Sequence, residues 1–248
     1  MAFLKNKKAT SPINPDNEEM DEEEEDFTEV QQAAKVHRII SFVGENRGHI
    51  AYYLIKLLSA CNEPVLLVDN SESNEIFHSI NRVKGMRTAT IRNITYVANV
   101  TYEEETFDPF TYIVIYYGNS LDGDTSWWDV SDLRLVMTGF DRYEIRRLAK
   151  GLPETNCTDL YIIFADRYSK KIRDEDVLES LYLEPDSIKD KMELTYEPED
   201  LALRIAWEYN GSQKIGALTK NMLGFLEELY QVAVPTNKNF KQVVKLAD

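Results

Sequence analysis

RIISFVGENRGHIAYYLIKLL, residues 38 to 58, decides the fold. Ile39 to Val43 form a short apolar run of the kind found in strands buried on both faces. GENRGH, residues 44 to 49, then turns the chain, and Ile50, Tyr53, Leu54, Leu57 and Leu58 recur at the spacing of one helical stripe. A second apolar run, PVLLVD (64–69), follows at once. Strand, helix and strand in this order make a βαβ unit, because parallel strands need a crossover of about this length.

The same rhythm continues outward. SNEIFHSINRV (73–83) reads as a helix capped by Ser73 or Asn74, and ATIRNITYV (89–97) as a strand with partial alternation. TYIVIYYG (111–118) is the most strongly apolar, β-branched and aromatic segment, which places it at the sheet centre. Strands are expected over LRLVMTG (133–139), DLYIIFAD (159–166) and KMELTYEP (191–198). Helices are expected over 141–152, 173–183, 199–210 and 215–233. The expected fold is therefore α/β: a single domain with a mostly parallel central sheet flanked by helices on both faces. Ligands of such sheets bind beyond the carboxyl ends of the strands, which puts GENRGH at the binding edge.

Composition narrows the function. The chain has 248 residues, 43% of them hydrophobic, and a formal net charge of -15. That charge argues against a general nucleic-acid binder, which needs a basic face for phosphates. No apolar run approaches the roughly 20 residues that span a bilayer, so a cytoplasmic protein is expected, with peripheral association still compatible. Cys61, Cys157, His37, His49 and His78 show no metal-ligand spacing and no disulfide framework. Residues 1–35 carry the run DNEEMDEEEEDFTE and are expected as a disordered acidic tail, with 36–234 as the folded domain and 235–248 as a C-terminal appendage.

In element order, residues 37 to 234 resemble the MinD/ParA family of deviant P-loop ATPases, including its pilus-positioning TadZ/CpaE members. RIISFVGENRGHIAYYLIKLL resembles the first strand, P-loop and helix; EPVLLVDNS resembles the second strand with its acidic end; FTYIVIYYG lies where the Walker B strand ends. DLRLVMTGFDRYEIRRLAKGL and MELTYEPEDLALRIAWEYN resemble later strand and helix pairs of the family.

The departures from the family pattern bear on chemistry. A P-loop works because backbone N–H groups point at phosphate oxygens, a lysine neutralises them, and a Ser/Thr hydroxyl holds Mg²⁺. Aligned on the resemblance, Gly48 keeps the glycine before the Walker lysine, His49 replaces the lysine, Ile50 replaces the hydroxyl, and the signature lysine falls on Gly44. Tyr116 stands where the Walker B aspartate is expected, and Asp69 survives while its partner acid is Ser71. The resemblance therefore implies a degenerate ATPase with no catalytic residue, no metal and no required cofactor. Gly44, Arg47, Gly48, His49 and Asp69 are the remnant of a nucleotide site; Arg47 and the helix N-terminus offer residual ATP or ADP binding, or GENRGH is only a turn.

Three further groups matter. Trp127 and Trp128, adjacent after the Walker B strand, are candidates for a partner surface on which one ring is exposed, or both rings lie buried under a loop. Arg142, Arg146 and Lys150 share one face of a helix that also carries Arg147, and this local basic surface suits an acidic partner or the acidic tail, or is an ordinary solvated face. Asp166, in the strand that resembles the base-recognition strand, is placed to face an adenine-like ring. The expected function is a non-catalytic scaffold or positioning adaptor for a pilus, secretion or conjugation machine, with protein partners that include a second copy of itself. The alternatives are a weak nucleotide-binding switch and a DNA partition factor.

Overall fold

The computed structural model describes residues 37–44, 46–80, 86–102, 107, 109–121, 125–152, 157–166, 171–234 and 239–248. The expected acidic tail, residues 1–35, and Glu45 lie outside them. Eight strands form one sheet: β1 (Arg38–Val43), β2 (Val65–Asp69), β3 (Thr88–Ile91), β4 (Ile94–Ala98), β5 (Tyr112–Tyr116), β6 (Leu133–Thr138), β7 (Leu160–Ala165) and β8 (Ile188–Leu194). Their order is β3-β4-β2-β5-β1-β6-β7-β8, and every neighbouring pair is parallel except β3 with β4. The TYIVIYYG segment is interior, between β2 and β1, as its composition requires.

Strand alternation divides the core in two. Ile40, Phe42, Val65, Leu67, Val114 and Tyr116 face one layer, while Ile39, Val43, Leu66, Val68, Ile113 and Ile115 face the other. The first layer is covered by α1 (Gly48–Ser59), α2 (Glu75–Ile80), α6 (Pro198–Asn210), α7 (Lys220–Ala233) and α8 (Phe240–Ala247). The second lies under α3 (Ser126–Asp129), α4 (Arg142–Gly151) and α5 (Asp174–Ser180). The N-cap of α4 is Asp141, whose carboxylate accepts from the amides of Tyr143 and Glu144 and satisfies two of the helix's free donors.

Four expectations are corrected. The helix α1 is buried on nearly every side, with only Lys56 and Ser59 less covered, because α7 and α8 close over the face that a simple stripe would leave in water. ATIRNITYV is not one strand: Arg92 takes a left-handed φ of 56° and folds it into the β3–β4 hairpin. Ser73 and Asn74 do not cap α2; the Ser71 hydroxyl accepts from Glu75 N and the Asp69 carboxylate from Phe77 N. Residues 239–248 are no appendage. Phe240, Val243 and Ala247 of α8 are buried in the first core layer, and the Asp248 carboxylate accepts from the amides of Ile215 and Gly216.

Candidate functional site

β1 lies between β5 and β6, so the loop after it opens into the crevice where the connections leave in opposite directions. The loop begins at a close approach: a Cβ on Gly44 would stand 2.5 Å from the Met137 carbonyl oxygen, which only glycine avoids. Asn46 takes φ of 54°, and α1 starts at Gly48.

Tyr116, fully buried at the end of β5, lies beneath this loop. Its hydroxyl donates to the Gly44 carbonyl oxygen at 2.9 Å and accepts from Arg47 N at 3.0 Å. One phenol thus ties both ends of the loop. Burial, and then the neighbouring Glu75 carboxylate, push its pKa well above the usual tyrosine value, so it stays protonated and able to donate.

Glu75 occupies the mouth of the helix. Its Oε1 accepts from Gly48 N at 2.7 Å, which puts a carboxylate at the positive end of the α1 dipole. Burial raises its pKa, while the Gly48 amide works in the other direction by bonding to the charged form. The approach is close enough that a Cβ on Gly48 would come within 3 Å of Oε1. Glu75 is positioned from the sheet: Asp69, fully buried, accepts from Ser71 N, Ser71 Oγ and Phe77 N. Burial raises the Asp69 pKa against these bonds.

Arg47 points away from the loop's hollow. Its guanidinium lies 3.4 Å from Glu144 Oε1 and 3.5 Å from Asp166 Oδ2, and 5.9 Å from the centre of the Tyr196 ring. Asp166 is thereby engaged with a cation, with its pKa raised by burial and lowered by Arg47. His49 is 1% exposed; its Nε2 is 2.6 Å from the Tyr196 hydroxyl, and its ring packs among Tyr53, Tyr196 and Trp207. Burial first, then Arg204 and Arg47, hold its pKa well below the ordinary value, so the imidazole is neutral and cannot act as a cation for phosphate. A cleft of 330 Å³ remains beside the loop, lined by Asn46, Ser71, Glu72, Glu75, Gly118 and Arg147 among others.

No protein-family model and no curated protein matches this chain. Solved structures do. The MinD cell division protein of Aquifex aeolicus is 12% identical, with a TM-score of 0.50 over 81% of this chain and all of that one (100%). The chain shares the fold of this MinD structure. A ParA family ATPase from Chlorobium tepidum TLS is also 12% identical, with a TM-score of 0.46 over 85% of this chain and 98% of its own. A putative plasmid partition protein from Borrelia burgdorferi B31, solved bound to AMPPNP, is 15% identical, with a TM-score of 0.44 over 84% and 98%.

In this fold, the residues expected at the site are brought together at one sheet edge, but in other roles. Gly44 and Gly48 line the loop, Asp69 caps α2, Arg47 staples the loop to α4 and β7, and His49 is a core residue. The expectation that Asp166 faces a ring is corrected by its pairing with Arg47. So is the partner surface on Trp127 and Trp128: both are fully buried on α3, with Trp127 packed against Phe107 and Tyr102 and its Nε1 donating to Val100 O. A strand would have put the two rings on opposite faces; a short helix turns both inward. Arg142, Arg146, Arg147 and Lys150 are exposed on α4, as their spacing implies, and the Arg147 guanidinium lies 5.9 Å from the centre of the Tyr143 ring. Glu75 and Tyr116 as loop partners were missed. Nothing in local spacing shows that residues 27 and 69 positions away from Gly48 and Arg47 will bond to them.

Proposed function

We propose that this chain is a non-catalytic member of the MinD/ParA architecture, acting as a scaffold or positioning protein. One observation carries the reading: the amides that a P-loop presents to phosphate are already bonded, Gly48 N to the Glu75 carboxylate and Arg47 N to the Tyr116 hydroxyl. Phosphoryl transfer depends on positioning and on offsetting charge with Mg²⁺ and cations. Here a carboxylate and a phenol take up that space, and the nearest arginine is paired to two acids. Among the described residues no group of His, Cys, Asp and Glu forms a metal site, and no helix is long and apolar enough to cross a membrane. By resemblance to TadZ/CpaE, the narrower reading is an adaptor that places a pilus, secretion or conjugation machine, and the exposed α4 arginines suit an acidic protein partner.

The test is calorimetric titration of the full chain with ATP and ADP, with and without Mg²⁺, beside a melting curve. The expected result is no saturable heat and no change in Tm. Saturable binding lost in Arg147→Ala would instead support a weak nucleotide switch seated in the 330 Å³ cleft.

A further inference from the structure

A cavity of 1040 Å³ opens at the opposite end of α1 from the loop, where Tyr52, Lys56 and Ser59 meet the β3–β4 hairpin turn and α8. From Gly48 to Ser59 the helix rises roughly 16 Å, so this is a separate place in the fold. Two cations stand on its wall. The half-buried Lys56 ammonium donates to the Gln213 carbonyl oxygen at 2.6 Å, and no carboxylate forms an ion pair with Lys56 or Arg92 among the described residues. The acid beside them, Asp248, lowers the cost of the Lys56 charge but spends its oxygens on the Ile215 and Gly216 amides. Burial still holds the Lys56 pKa below the ordinary lysine value.

Arg92 is in an uncommon conformation. A hairpin turn at positive φ favours glycine or asparagine, yet here φ is 56° and the residue is an arginine whose side chain is exposed at the cavity rim. The rest of the wall mixes the largely buried rings of Tyr52 and Tyr96 and the side chains of Ile94 and Val243 with polar side chains such as Asn93 and Gln242. Small-molecule sites combine ring and aliphatic surface with a few convergent polar groups that fix orientation. In a chain of net charge -15, two cations that form no ion pair among the described residues favour negative charge in this cavity.

We propose that this cavity binds a small organic anion, a carboxylate or a phosphate monoester carrying an aromatic or apolar body. Lys56 and Arg92 hold the charged group, and Tyr52 and Tyr96 line the space for the body.

Cys61 lies on the same wall, its Sγ 3.2 Å from the Tyr230 hydroxyl, and provides the readout. In a full-length Cys157→Ser background, the thiol is reacted with the dianionic aromatic disulfide dithiobis(nitrobenzoate) and with neutral dithiodipyridine. Thiol–disulfide exchange releases one chromophoric thiolate per thiol modified. Each rate is divided by that of free cysteine. The protein's overall charge repels a dianion, so without the proposed site the dianionic reagent is the disfavoured one. The expected result is a normalised preference for the dianion, lowered about threefold to tenfold by Arg92→Gln or Lys56→Gln, with the neutral reagent's rate unchanged. Lys56→Arg should retain the preference. Benzoate and phenyl phosphate, added as competitors, tell which headgroup protects Cys61 better. A normalised preference at or below one, equal slowing of both reagents, or protection by neither competitor overturns the proposal. Arg92 is exposed on a turn, so its variant keeps the test open if Lys56→Gln fails to fold.

Discussion

Tyr116→Phe removes one oxygen from the interior and leaves the Gly44 carbonyl and the Arg47 amide without the partner they share. A neutral hydrogen bond contributes about 0.5–1.5 kcal/mol net, but a buried group left unsatisfied costs about 1–3 kcal/mol. Two such groups, partly relieved by loop adjustment, put the expected loss at about 2–4 kcal/mol. In a domain of this size that corresponds to roughly 5–15 °C in Tm. The internal control is Tyr53→Phe. Tyr53 is also fully buried, yet its hydroxyl has no hydrogen-bond partner among the described residues, so its removal should be neutral or stabilising by up to about 1 kcal/mol. Urea unfolding of the two variants, compared at constant slope, reads the difference directly. If Tyr116→Phe costs less than about 0.5 kcal/mol, or no more than Tyr53→Phe, the phenol does not hold the loop.

Other outcomes follow from the same structure. His49 has a folded pKa well below its unfolded value, so the unfolded chain binds the proton first, and its contribution to stability, fully present above the unfolded pKa of about 6.5, is lost as pH falls below it. The slope is about 1.4 kcal/mol per pH unit between the unfolded and folded values, and urea titrations at pH 7 and 5.5 should show it in wild type but not in His49→Gln. Phe240→Ala should cost about 3–5 kcal/mol, because Phe240 is buried against Tyr230; a true appendage would lose almost nothing. All three tryptophans, Trp127, Trp128 and Trp207, are at most 2% exposed, so native fluorescence should resist iodide or acrylamide and become quenchable only on unfolding.

What could be read from sequence follows from what is local. β1, α1, β2 and β5 are continuous apolar runs or stripes, and hydrophobic period alone identifies them. The β3–β4 hairpin was hidden because its turn residues are Arg92 and Asn93, without the glycine that marks such turns. α8 was hidden for a different reason: Phe240, Val243 and Ala247 stand at helical spacing, but a stripe over only eight residues is a weak periodic signal. At the site, the positions of Gly44, Arg47, Gly48, His49 and Asp69 were legible from order along the chain. Their partners were not. Whether an arginine beside a loop faces a ligand or a pair of carboxylates depends on Glu144 and Asp166, delivered by α4 and β7 from far along the sequence.

The short turn from Asp69 to Phe77 has one more consequence. Asp69 pins α2 to the sheet edge, and α2 delivers the Glu75 carboxylate to the mouth of α1. That carboxylate is tethered, so its effective concentration at the Gly48 amide is millimolar at the least and far higher once orientation is fixed. A dissolved anion competes there against a rival that never diffuses away. Its apparent affinity falls by the ratio of that effective concentration to the carboxylate's own dissociation constant.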